Sequence, residues 1–136
     1  MSRGVVYFRS LAGFYAVFGL ITTFYPRLMQ LFMTDEGVDA TSTFSNQVWF
    51  HGGLDILSIT LLLFVISQLP IRALTVRAAA IVALMPTAAI LYTFLATPFW
   101  SALFLVPGAA ALAFAVYGFV LAGSLDEHGA SADAGD

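Results

Sequence analysis

Cysteine and lysine are both missing from this chain of 136 residues, and charge of either sign is scarce. Without cysteine there is no disulfide, no thiolate nucleophile, no cysteine-held iron–sulfur cluster and no thioether-linked haem. Without lysine, no Schiff base to retinal or pyridoxal phosphate can form on the chain. The basic residues are five arginines scattered at 3, 9, 27, 72 and 77, with no patch to neutralise a phosphate backbone, so no nucleic-acid partner is expected. Charged residues make up 10% of the chain, against about 25% in ordinary globular proteins. The net charge of −3 says little about partners, because four of the eight acids crowd into the last dozen residues and three more lie between 35 and 39.

Hydrophobic residues, at 60%, supply what charge does not. A small soluble domain has a high surface-to-volume ratio and needs polar cover, which this composition does not provide. Lipid must then be the solvent for most of the surface. A bilayer core of about 30 Å takes roughly 20 helical residues. Four runs are long and apolar enough: residues 5–25, 48–69, 76–95 and 99–122. The short links 70–75 and 96–98 hold the prolines and polar residues that end helices. Arg9 within the first run, and bulky Phe24 and Tyr25 where a signal peptidase needs small residues, mark that run as a retained helix. The expected fold is an all-α membrane protein. A four-helix transmembrane bundle occupies residues 1–123, with an interfacial loop or helix between the first two spans, and 124–136 form a disordered acidic tail.

Arginine placement gives the sidedness. Arg3, Arg9, Arg72 and Arg77 fall on one side and Arg27 alone on the other. The positive-inside rule therefore puts both termini in the cytoplasm of a multi-pass protein of the cell's inner (plasma) membrane. Trp49 and Trp100 then both fall near the outer interface, where such rings prefer to sit, although they played no part in the assignment. The one long link, 26–47, lies outside. Its apolar start at 27–33 suits the membrane surface, Asp35-Glu36-Gly37 makes a turn in water, and Ser45 or Asn46 caps the second span. It is an interfacial connector or, on a sharper reading, a lid over a lateral opening. Small residues at Gly13, Ala16 and Gly19, at Ala79, Ala83 and Thr87, and at Gly108, 109–111, Ala113 and Ala115 predict close helix packing. Pro86 and Pro107 predict kinks.

The most informative stretch surrounds His51 and Asp55, which at i, i+4 share one helix face about 6 Å apart. Asp55 falls roughly 10 Å below the outer boundary. A carboxylate near mid-bilayer costs about 2.5–3.5 kcal/mol even on the forgiving insertion scale, so something compensates it. Three compensations stay open: donation from His51 along the helix, Arg27 reaching inward, and protonation of Asp55 itself. Thr22, Thr23, Tyr92 and Thr93 lie at similar depth and, with Phe50, Phe94, Trp49 and Trp100, predict an outer-half polar pocket. Gly52 and Gly53 remove side chains where a ligand or another helix must come close. The candidate residues for ligand binding or proton relay are His51, Asp55, Tyr92, Arg27 and Trp49; the competing reading is a network that only fixes helix register. No metal site is expected, since a zinc ion wants three or four ligands and His128 lies in the tail. No glycine-rich phosphate loop, zincin motif or nucleophile elbow occurs, and no cofactor is assigned.

Gly13 and Gly19, the run Phe24-Tyr25-Pro26 leading into Leu31-Phe32, and the pair Gly52-Gly53 at the head of the second span resemble the small DoxX-like four-helix membrane proteins of bacteria. The resemblance extends to about Gly123. It implies a four-helix membrane fold, often within a membrane complex, and no particular activity. The His51–Asp55 pair maps onto no motif of that family, so no site residue is carried over.

Two functional classes follow. The favoured one is a non-catalytic accessory subunit or a binder of an apolar ligand such as a lipid, quinone or pigment. The alternative is a small membrane-embedded enzyme, an isomerase or oxidoreductase on a lipid-like substrate, with His51 and Asp55 as its acid/base pair. The partners expected are the bilayer, a membrane-protein complex or further copies of the chain, and an apolar small molecule.

Overall fold

Ser2 accepts a hydrogen bond from the Val5 amide (3.4 Å) and starts the first helix, α1 (Arg3–Phe24). Pro26 ends it: the residue before a proline is pushed out of helical geometry, and Tyr25 stands at φ −131°, ψ 52°. In the computed structural model, which describes residues 2–39 and 43–133, a 3₁₀ segment (Pro26–Phe32) and a single helical turn, α2 (Asp35–Asp39), lead to the long helix α3 (Thr43–Ile66). A tight turn and Pro70 lead to α4 (Ala73–Ala96). Thr97, extended before Pro98, ends α4 as Tyr25 ends α1. A 3₁₀ turn (Ala102–Phe104) then feeds α5 (Leu105–Asp133).

Four stretches are long and apolar enough to cross a membrane: Arg3–Phe24, Gln47–Ile66, Ala73–Ala96 and Ala102–Asp126. They match the four expected runs with small shifts. Pro107 is the exception to the expected kinks. It sits in the first turn of α5, where its missing N–H has no helical partner to lose, so it helps to start a helix. Pro86 lies inside α4 as expected. The last helix also runs on through residues 124–133, which had been expected as a disordered tail. Nothing in Ser124-Leu125-Asp126-Glu127 breaks a helix, and Asp126 is held by an ion pair to Arg77 of α4. The expected capping residues Ser45 and Asn46 lie within the helical span of α3, and their side chains fall outside the described residues.

The helices pack as two antiparallel pairs, α1 with α3 and α4 with α5. Small residues make both seams. A Cβ on Gly53 of α3 would stand 2.6 Å from the Thr23 amide nitrogen of α1, so only glycine lets the backbones come this near. The pairs join where α1 meets α5. There a Cβ on Gly118 would lie 2.5 Å from the Tyr7 hydroxyl and 2.8 Å from the Ala80 Cβ, so one glycine admits a side chain from α1 and one from α4. Around this junction the core is solid: Tyr7, Phe8, Leu11, Val76, Ala80, Ala83, Ala115 and Ala122 are buried. Of the expected small stripes, Ala79, Ala83, Ala111 and Ala115 face this interior, while Gly13 meets open space.

Arg3, Arg72 and Arg77 share one end of the bundle, with Asp126, and Arg27, Trp49 and Trp100 share the other. At the tryptophan end the two links are stitched together. Thr34 N donates to Phe99 O (2.9 Å), Ser101 N to Phe32 O (2.8 Å) and the Thr34 hydroxyl to Pro98 O (2.9 Å), forming an antiparallel bridge between Met33 and Trp100.

Candidate functional site

The tryptophan half of the bundle is hollow. Between the two helix pairs lies a cavity of about 320 Å³, within the range of about 300–1,000 Å³ usual for small-molecule sites. α1 contributes Phe14, Tyr15, Phe18 and Thr22 to its wall, α3 contributes Trp49, Ile56 and Ile59, and α5 contributes Pro107 and Ala111. From α4 come Val82, Met85, Pro86, Ala89 and Ile90. The wall is carbon almost throughout. Thr22 supplies a hydroxyl, but that hydroxyl is spent within its own helix, donating toward Phe18 O (2.8 Å) and Gly19 O (3.2 Å).

The link after α1 forms the roof. Pro26 sets the 3₁₀ segment, whose turn brings Met29 (5% exposed) and Phe32 over the cavity. Below it Trp100 stacks on Phe104 (4.0 Å between ring centres) and meets Trp49 edge-on (5.8 Å). These rings tie α3, the 97–104 link and the start of α5 together. The wall is incomplete on the α4 flank. There Met85 is 67% exposed, and Val82 and Ala89 are exposed beside it, so the cavity reaches the flank of the bundle.

Of the five candidate residues, only Trp49 lines this space. His51 and Asp55 are exposed on α3 and do not line the cavity, Tyr92 is 74% exposed, and Arg27 is exposed in the roof segment. His51 makes an edge contact with Phe50 (5.8 Å). Among the described residues, no ion pair or hydrogen bond joins Asp55 to His51 or to Arg27. The reason is the helical period. Gly53 must face α1 to make the seam, and residues two positions to either side of it then point away from α1. Gly52, the other glycine of the pair, has open space where its Cβ would be. Phe50 is likewise exposed, while Trp100 reaches the cavity only through its ring contacts with Phe104 and Trp49. The cavity in the tryptophan half is apolar, and of the polar residues expected around a pocket there only Thr22 and the ring of Trp49 line it.

Residues that the sequence did not single out make most of the wall. Phe14 and Phe18, at i, i+4, present a ring ledge from α1 (5.2 Å between centres), and Phe14 also meets Phe114 of α5 (5.4 Å). Met85-Pro86 was the available signal, since a proline in mid-helix often borders a space. Among the described residues no group of three or more His, Cys, Asp or Glu side chains gathers as a metal site would require. Compared with known protein families, with curated proteins and with solved structures, the chain matches none of them.

Proposed function

We propose that the protein is a small multi-pass membrane protein that holds the apolar body of a lipid-like molecule in the cavity between its two helix pairs. The observation that carries this reading is the cavity's wall: aromatic and branched side chains with almost no polar surface, the buried Tyr15 hydroxyl being a polar atom left without a hydrogen-bond partner, and an opening on the flank beside the exposed Met85. A lipid tail, quinone tail or pigment fits such a wall, since its polar end can stay at the opening while its hydrocarbon body fills the space. The four long apolar helices support the bilayer as solvent. So do the helix hydroxyls of Ser58, Thr60, Thr93 and Thr97, each donating to a carbonyl one turn back at 2.8–3.1 Å. On the positive-inside rule the end that carries Arg3, Arg72 and Arg77 is cytoplasmic, with both termini, and the roofed end faces outward across the inner (plasma) membrane.

The enzyme alternative has less support. Its acid/base pair, His51 and Asp55, is exposed and does not line the cavity, so it would not act on a substrate held there. The accessory-subunit reading and the DoxX-like resemblance stay compatible with an apolar-ligand holder.

The test is native mass spectrometry of the gently extracted protein. A bound apolar molecule is expected on the unaltered chain, and Ala111→Phe, which puts a ring into the cavity from a 1%-exposed position, should remove it while the helices stay folded. If the unaltered protein carries nothing, or if Ala111→Phe retains the same molecule, the proposal fails.

A further inference from the structure

We propose that α3 pairs with α3 of a second copy of this chain through the stripe His51, Asp55, Ser58, Leu62 and Val65. Asp55 of each copy then sits between His51 and Ser58 of the other.

This inference rests on the bilayer reading given above and adds a partner to it. All five residues of the stripe are exposed. Asp55 stands eight residues past Gln47, the start of the membrane-length stretch, or about 12 Å below its boundary. At that depth ionisable side chains face the interior of a bundle or a watery cavity almost without exception. Asp55 faces neither within one copy, so a protein surface must come to it. The other outward faces show what lipid exposure selects in this chain. Along the middle of α4 it is Ile81, Met85 and Leu91, and along α5 it is Leu112, Val116 and Val120. Among the described residues, α3 alone places both an acid and a histidine on such a face.

Two features identify the partner as the chain itself. The first is spacing. Residues 51, 55, 58, 62 and 65 follow intervals of four, three, four and three, which is the seam along which two parallel helices interlock. Copies inserted with the same sidedness present these helices in parallel. The second is complementarity. In such a seam a knob at the Asp55 position enters a hole whose corners include the partner's residues one turn before and one turn after it. Those are His51, whose imidazole N–H can donate, and Ser58, whose hydroxyl donates to Leu54 O within its own helix and turns from it to reach the carboxylate. A twofold axis applies the same contact in reverse, so each carboxylate gains donors from the other copy, and the two Asp55 side chains share one layer of the seam. Below them Leu62 and Val65 continue the seam as plain apolar packing. None of the five stripe residues lines the cavity.

The absence of cysteine makes the test clean. Full-length protein carrying Leu62→Cys is reconstituted in phospholipid vesicles and mildly oxidised, and a disulfide-linked dimer is expected. In that background His51→Asp alone gives a stripe of two acids and Asp55→His alone gives one of two bases. Each should lower the cross-linked fraction about tenfold, given two lost polar contacts between helices. Mixing these two variants, distinguished by tags of different size, should restore a hetero-dimer, because acid again meets base in both directions. The double variant His51→Asp with Asp55→His should restore the homo-dimer. The inference is overturned by a chain that stays monomeric, by cross-linking that ignores the charge changes, or by a loss that neither the mixture nor the double variant recovers. Cross-linking to a different protein in native membranes also overturns it. Resistance to alkaline extraction separates the two layers of the argument. A chain that washes off the vesicles sinks the bilayer reading and the pairing together, whereas an integrated monomer sinks the pairing alone.

Discussion

The two halves of this bundle are built from the same four helices and differ in how closely those helices meet. At the arginine end, alanine and glycine on α4 and α5 let Tyr7, Phe8 and Leu11 of α1 fill the space between them, and these three are at most 1% exposed. At the tryptophan end the facing positions are Phe14, Phe18, Ile56 and Ile90, with Pro86 in mid-helix, and the side chains hold the helices apart instead of filling between them. Neither half is more hydrophobic in any useful sense. What differs is the pairing of large with small. Large against small gives a solid core, and large against large, roofed by Met29 and Phe32, gives a cavity.

The largest effect expected from breaking that contrast is at Gly118. Gly118→Leu pushes a branched side chain against Tyr7 and Ala80, where even a Cβ would lie 2.5 Å and 2.8 Å from its neighbours. Thermal unfolding in detergent should show a loss of about 3 kcal/mol, the upper end of the usual overpacking range, or no folded protein at all. A loss below about 1 kcal/mol would mean that the junction is as loose as the other half.

The contrast is sharpened by making comparable truncations in both halves. Leu11→Ala, from a fully buried position, should cost about 3 kcal/mol, since the solid half cannot collapse into the space. Met85→Ala, at the rim of the cavity and 67% exposed, should cost well under about 1 kcal/mol and enlarge the side opening. Chemical denaturation of the two variants side by side decides the point. Equal losses would show that the hollow half is closed and packed in solution.

How much of this was legible in the sequence follows from the physics of each signal. The spans were plain because length and apolarity decide them, and neither depends on tertiary contacts. Pro26 and Pro98 marked two helix ends for the same reason, since their effect on the preceding residue is local. The rotation of α3 was not legible. His51 and Asp55 share a face on any helix, but which way that face turns depends on Gly53 meeting Thr22 and Thr23 of α1, a contact between residues thirty positions apart. An acid beside a histidine on an apolar helix marks a site only where that face turns inward, and on α3 it turns outward. The cavity stayed hidden for a related reason. Its wall consists of Phe, Ile, Met and Pro, residue types that fill a core as readily as they line a space. The continuation of α5 past Ala122 was masked by composition, because Ala, Ser and Asp suit a solvated helix and a disordered tail equally well.

The smallest expected effect tests where the solid half ends. Arg77 and Asp126 pair across α4 and α5 at that end, and each side chain is 48% exposed. Two half-exposed charges gain little from each other once water and salt screen them, so Arg77→Ala should cost about 0.5 kcal/mol and less at high salt. Asp126→Asn should cost the same, and the double variant should cost little more than either, because both remove one contact. Unfolding midpoints at low and high ionic strength measure all three. If Arg77→Ala instead costs more than about 2 kcal/mol and salt makes no difference, the pair is shielded from water. The boundary of the bilayer would then lie beyond Asp126, and the helix after Ala122 would belong to the membrane-embedded core.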